Sequence, residues 1–208
     1  MRIVSYTSPI IGLAKIKKLD LLKTLAGEVL IPRYVYRELF GKHGQEAADI
    51  EEALQTFIKV VPVDDMEPSV AALLTQLDEG ERQAIGLASV LGGDVLLLID
   101  DHAGREAAKR LQVAVTGLVG LLIFAKEKGL VSQVGSLLEE LREMGYWLSD
   151  EVIEIAKELA GECAGWTSRG EYSSPFAPHA PWLLRLTPHA SPSFGASRSL
   201  CFSPNKEI

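Results

Sequence analysis

The chain has 208 residues and a formal net charge of −7, with 47% hydrophobic and 24% charged residues. That is room for one ordinary domain with a real core, and it excludes a wholly disordered or membrane-like chain. The acidic balance argues against tight, metal-free binding of long nucleic acid, because phosphate neutralisation dominates such affinity. Cations bound to clustered carboxylates would offset part of the charge, but on charge alone a plain acidic protein is the simpler account.

The longest apolar runs, Val95 to Ile99 and the interrupted Val113 to Ala125, fall short of the ~20 residues that span a bilayer. Ser8-Pro9 breaks the first apolar stretch too early for a signal peptide. No membrane association and a cytoplasmic location are therefore expected. Cys163 and Cys201 show no metal-ligand spacing and no disulfide framework. Six of the ten prolines follow position 163, among serine-rich pieces, and they forbid a long helix there. The chain reads as a domain over 1–162 and a disordered Pro/Ser-rich tail over 163–208. The tail has four basic residues against two acidic ones, so about −9 of the charge belongs to the domain.

Within the domain, strand and helix signals alternate. Arg2 to Ser5 is a short apolar strand, and Ser8-Pro9 predicts a helix start with serine as the cap. Leu19 to Leu25 is a short helix, Glu28 to Ile31 a strand, and Arg33 to Phe40 a helix ended by Gly41. Glu46 to Phe57 is helical. Lys59 to Val63 reads as an edge strand that tolerates Pro62. Val70 to Leu77 is helical, and Asp78 with Glu81 predicts a capping box opening the helix Glu79 to Leu91. Asp94 to Ile99 is an apolar run of the buried parallel kind. Ala103 to Leu111 is a helix and Val113 to Val115 a last strand. Helices follow over Leu118 to Lys128, Val134 to Met144 and Asp150 to Ala160. This is a three-layer α/β pattern around a small central parallel sheet flanked by helices.

In such sheets ligands gather beyond the carboxyl ends of the strands. Tyr6, Thr7 and Ser8 follow the first strand there, and Asp100 and Asp101 follow the central one. Glu38 and Glu81 add helix acids. Converging buried carboxylates are costly without a cation. Magnesium takes such oxygen ligands, and a metal-bound water can attack a phosphodiester. Each residue also has an ordinary reading: Asp100 and Asp101 as helix caps, Glu81 as a capping-box member, Glu38 as a solvated acid.

The segments Ile3 to Ala14, Val29 to Pro32 with Val35 to Leu39, Leu77 to Ile85, Leu97 to Asp101 and Val115 to Leu122 together resemble PIN domains, over about residues 2–160 in order. The branch they resemble is that of predicted nucleic-acid-binding prokaryotic proteins related to VapC-type toxins. The resemblance implies a Mg2+- or Mn2+-dependent ribonuclease acting on RNA, often a toxin with an antitoxin partner, and often a homodimer. It implies Glu38, Glu81 and Asp101 as catalytic and metal-binding acids, with Asp100 as an alternative register for the last. Thr7 or Ser8 would supply the hydroxyl beside the first acid, and Arg105 would touch phosphate. The family's first acid falls on Tyr6, a poor magnesium ligand at neutral pH, so weak metal binding and impaired cleavage are expected. The other readings are a non-catalytic PIN-like module binding RNA or a partner protein and, less well supported, a receiver-type domain.

Overall fold

The computed structural model of the chain describes residues 1–41, 44, 46–63 and 66–162. The tail expected over 163–208 lies outside them. The elements run β1 (Arg2–Ser5), α1 (Thr7–Lys15), α2 (Asp20–Ala26), β2 (Val29–Pro32), α3 (Arg33–Phe40), α4 (Ala47–Thr56), β3 (Ile58–Val61), α5 (Pro68–Leu73), α6 (Glu79–Leu91), β4 (Val95–Leu98), α7 (His102–Arg110), β5 (Ala114–Thr116), α8 (Leu118–Glu127), α9 (Val134–Glu143) and α10 (Asp150–Leu159).

The strands form one parallel sheet in the order β3-β2-β1-β4-β5. Every residue of β2 and β4 is buried, as expected of strands covered on both faces. One face of the sheet presents Val4, Leu30, Val95, Leu97 and Val115. These residues pack with Ala84, Ile85 and Ala88 of α6 and Ala107 and Ala108 of α7. Residues of the opposite parity, such as Ile3, Ile31, Leu96 and Leu98, are equally buried. This is the three-layer α/β arrangement, with the core on both sides of the sheet.

The order of the strands places the site. The chain steps outward from β1 to β2 to β3, then returns to place β4 on the other side of β1. The reversal makes a crevice at the carboxyl ends of β1 and β4, where an open α/β sheet binds its ligand. Tyr6 leaves β1 at that point, its backbone N–H bonded to the Leu98 carbonyl at 3.0 Å. Asp100 and Asp101 leave β4 beside it.

Three local expectations are corrected. Helix α1 begins at Thr7 with Tyr6 in the cap position, so Ser8 lies inside the helix and caps nothing. Pro9 sits in the first turn, where its missing N–H costs little. Strand β3 ends at Val61, so the proline falls just beyond the edge strand. Helix α5 begins earlier than the apolar spacing suggested and stops at Leu73, because Pro68 is preset for a helix start.

Candidate functional site

Strand β1 and helix α1 deliver Tyr6 and Thr7. Thr7 is buried, and its hydroxyl donates to Glu38 Oε2 in a short hydrogen bond. Glu38 on α3 is therefore pinned toward the end of β1 and is more than a solvated helix acid. Ser8 is half-buried and has no side-chain bond among the described residues.

Helix α6 delivers two acids. Asp78 is its cap, accepting from the Glu81 N–H at 2.8 Å, and Glu81 Oε2 accepts from the Asp78 N–H at 3.3 Å. The predicted capping box is thus real. The second oxygen of Asp78 accepts from the Tyr6 hydroxyl at 3.0 Å. Asp78 therefore belongs to the pocket as well as to the helix. Its spacing to Glu81 announced the cap but gave no sign of the contact with Tyr6.

Glu81 is 7% exposed. Burial first, then the charges of Asp78, Asp101 and Glu38, push its carboxyl up to about 7. Those neighbours show which acids share a field: Glu38, Asp78, Glu81 and Asp101. Tyr6 stands in the same field. Burial, its bond to Asp78 and the charges of Glu38 and Glu81 all push the phenol above its ordinary value. It stays protonated at physiological pH.

The adjacent acids after β4 have different duties. Asp101 is exposed and caps α7, accepting from the Gly104 N–H at 2.7 Å. Its charge is the one of the two that acts on Glu81. Asp100 is held by protein groups at both oxygens. Oδ1 accepts from the Leu118 N–H at 2.8 Å and Oδ2 from the Tyr146 hydroxyl in a short bond. Asp100, expected as a metal donor, has both oxygens engaged by protein groups here and ties β4 to the start of α8 and to the segment after α9. Arg105 turns back to the same place, its Nη1 donating to the Asp100 carbonyl. Nothing in the sequence marked Tyr146, which lies far along the chain in a loop.

Hard oxygen donors around a glutamate whose carboxyl is raised by burial first and by neighbouring acids second are the donor chemistry that suits a hard divalent cation. Among the described residues, no three His, Cys, Asp or Glu side chains are grouped so as to hold an ion between them. Magnesium commonly takes only one or two carboxylates and keeps its waters, so two of these acids would suffice as its protein ligands.

A family model described as a PIN domain matches residues 2–162. The chain belongs to the PIN-domain family. No curated protein matches it. PIN domains generally use divalent metal ions, in line with the donor chemistry of this pocket. In this PIN domain the Tyr6 phenol stands at the end of β1, bonded to Asp78. No described helix is long and apolar enough to cross a membrane.

The raised carboxyl of Glu81 has a consequence for stability. A carboxyl whose folded value lies above its unfolded one binds more protons in the folded state. Stability is then lost as pH rises from the ordinary glutamate range toward about 7, and is flat above it. Glu81→Gln keeps an oxygen for the Asp78 N–H and should abolish that slope. Thermal melts in EDTA across this window would show it. A slope unchanged in Glu81→Gln would place the cost of ionisation elsewhere.

Proposed function

We propose that this PIN domain is a divalent-metal-dependent endoribonuclease whose activity is depressed by Tyr6. The observation that carries the reading is the shared field of Glu38, Glu81 and Asp101 at the β1/β4 crevice, with a protonated phenol among them. Glu81 and Asp101, with Glu38 beside them, would hold Mg2+ or Mn2+ weakly. When bound, the ion supplies a water of lowered pKa as nucleophile. Thr7 orients Glu38 through its hydroxyl. Holding the ion requires Glu81 ionised, and its raised carboxyl opposes that below about pH 7. Ser8 and the remaining donors of Arg105 would contact the phosphates of RNA. A cytoplasmic toxin paired with an antitoxin, acting as a homodimer, is the biological setting that fits.

The second reading is a non-catalytic PIN module that binds RNA or a partner protein. The bond from Tyr6 to Asp78 favours it, because it fills the pocket with a neutral group. Cleavage of RNA in magnesium separates the two. The nuclease reading expects slow cleavage, stopped by EDTA and lost in Glu81→Gln. No cleavage at any metal concentration, with a small protein co-purifying, would support the second.

A further inference from the structure

Helix α3 carries more than Glu38. Arg33, Tyr34 and Arg37 lie along its solvent side, all three exposed. The two arginines are four residues apart, and Tyr34 is three before Arg37, so the three side chains share one face. Neither arginine forms an ion pair among the described residues. On a chain of net charge −7 this is a local patch of uncommitted positive charge, one residue from the Glu38 of the pocket.

The Tyr34 ring lies against α6 at Gly80. A Cβ on Gly80 would stand 2.8 Å from Tyr6 Cε2 and 3.3 Å from Tyr34 Cδ1. Only glycine lets both rings approach the helix start so closely. Gln83 holds the backbone at this end of α3, accepting from the Tyr34 N–H at 3.4 Å. Two aromatic rings therefore come close to Gly80 in the first turn of α6, one from the helix that carries the arginines and one bonded to Asp78.

We propose that Arg33, Tyr34 and Arg37, with the Tyr6 ring across Gly80, form a binding strip for single-stranded RNA leading into the acidic pocket. Tyr34 stacks an unpaired base, and the arginines take the flanking phosphates. Aromatic stacking is tolerant of sequence because every base has a π-face. Arginine beside an aromatic ring adds charge neutralisation that an acidic protein otherwise lacks here. A base-paired strand cannot offer its face, so the strip discriminates against duplex. That the ligand is RNA rests on the nuclease reading; the stacking geometry does not.

The test is binding of a short fluorescein-labelled single-stranded RNA of mixed sequence to the full chain, read by anisotropy in EDTA so that no cleavage intervenes. Tyr34→Ala should weaken binding about tenfold, and Tyr34→Phe should restore it. Arg33→Gln and Arg37→Gln should each flatten the salt dependence by about 0.7 in log–log slope. A duplex of the same sequence should compete poorly. Binding unchanged in Tyr34→Ala, or a phenylalanine that does not restore it, overturns the strip, and if cleavage persists the nuclease reading survives alone. Tyr34-dependent binding without any cleavage in magnesium keeps the strip and removes the nuclease. A partner protein covering this face would show as RNA binding indifferent to all three α3 variants, which also overturns it.

Discussion

Replacing Tyr6 by aspartate is expected to raise magnesium-dependent RNA cleavage by at least roughly 10- to 100-fold, the range lost when groups that only orient a metal's ligands are removed. Tyr6→Asp changes several things at one position. A bulky neutral phenol leaves the field of Glu38, Glu81 and Asp101, and a carboxylate enters it. Asp78 loses its hydrogen-bond donor and regains an oxygen for solvent or cation. Position 6 also caps α1, where the tyrosine makes no side-chain capping bond, so aspartate can accept from the first turn and add about 1 kcal/mol. Without metal, the added negative charge opposes that gain. Tyr6→Asp should therefore be destabilised by EDTA and stabilised by magnesium, while the parent chain responds little. A parent chain that cleaves RNA as fast as Tyr6→Asp would show that the phenol does not depress activity.

The largest stability effect is expected at Asp100. Asp100→Ala leaves the Leu118 N–H and the Tyr146 hydroxyl without their acceptor. Burial already holds this carboxyl above the usual range despite its donors, so it is not a solvated surface group. Orphaning buried donors costs about 3 kcal/mol, which should lower Tm by roughly 10 °C in a domain of this size. Tyr146→Phe removes one donor and leaves the carboxylate with the other, so about 1 kcal/mol is expected. In the double variant the cost should fall short of the sum, because the Tyr146 bond is lost in each single variant. Strictly additive losses in urea melts would mean that the two side chains do not depend on each other.

Much of the fold was legible because its signals are local. The run Val95 to Ile99 is apolar throughout, and a strand buried on both faces needs that. Asp78 and Glu81 stand three residues apart ahead of an apolar helix, and a capping box forms there. The start of α1 was misplaced because Ser8-Pro9 carries the usual chemistry of a helix start, while Tyr6, which holds the place, has no capping group. The candidate site was legible only in part. The family pattern singled out Glu38, Glu81, Asp101 and the anomaly at Tyr6. It could not tell Asp100 from Asp101, since neighbours in sequence differ here only by partners that arrive from elsewhere. The Tyr146 bond to Asp100 spans 46 positions and the Tyr6 bond to Asp78 spans 72. Neither leaves a periodic trace. Tyr34 passed as an ordinary helix residue for the same reason, since its place beside Tyr6 depends on α6 presenting Gly80.

Titration with Mn2+, followed by the loss of the free-ion electron paramagnetic resonance signal, tests most directly that a phenol in the acidic crevice weakens its metal site. Weak binding by the parent chain is predicted, with tighter binding by Tyr6→Asp and loss in Glu81→Gln. Tight binding by the parent chain that neither substitution changes would contradict it.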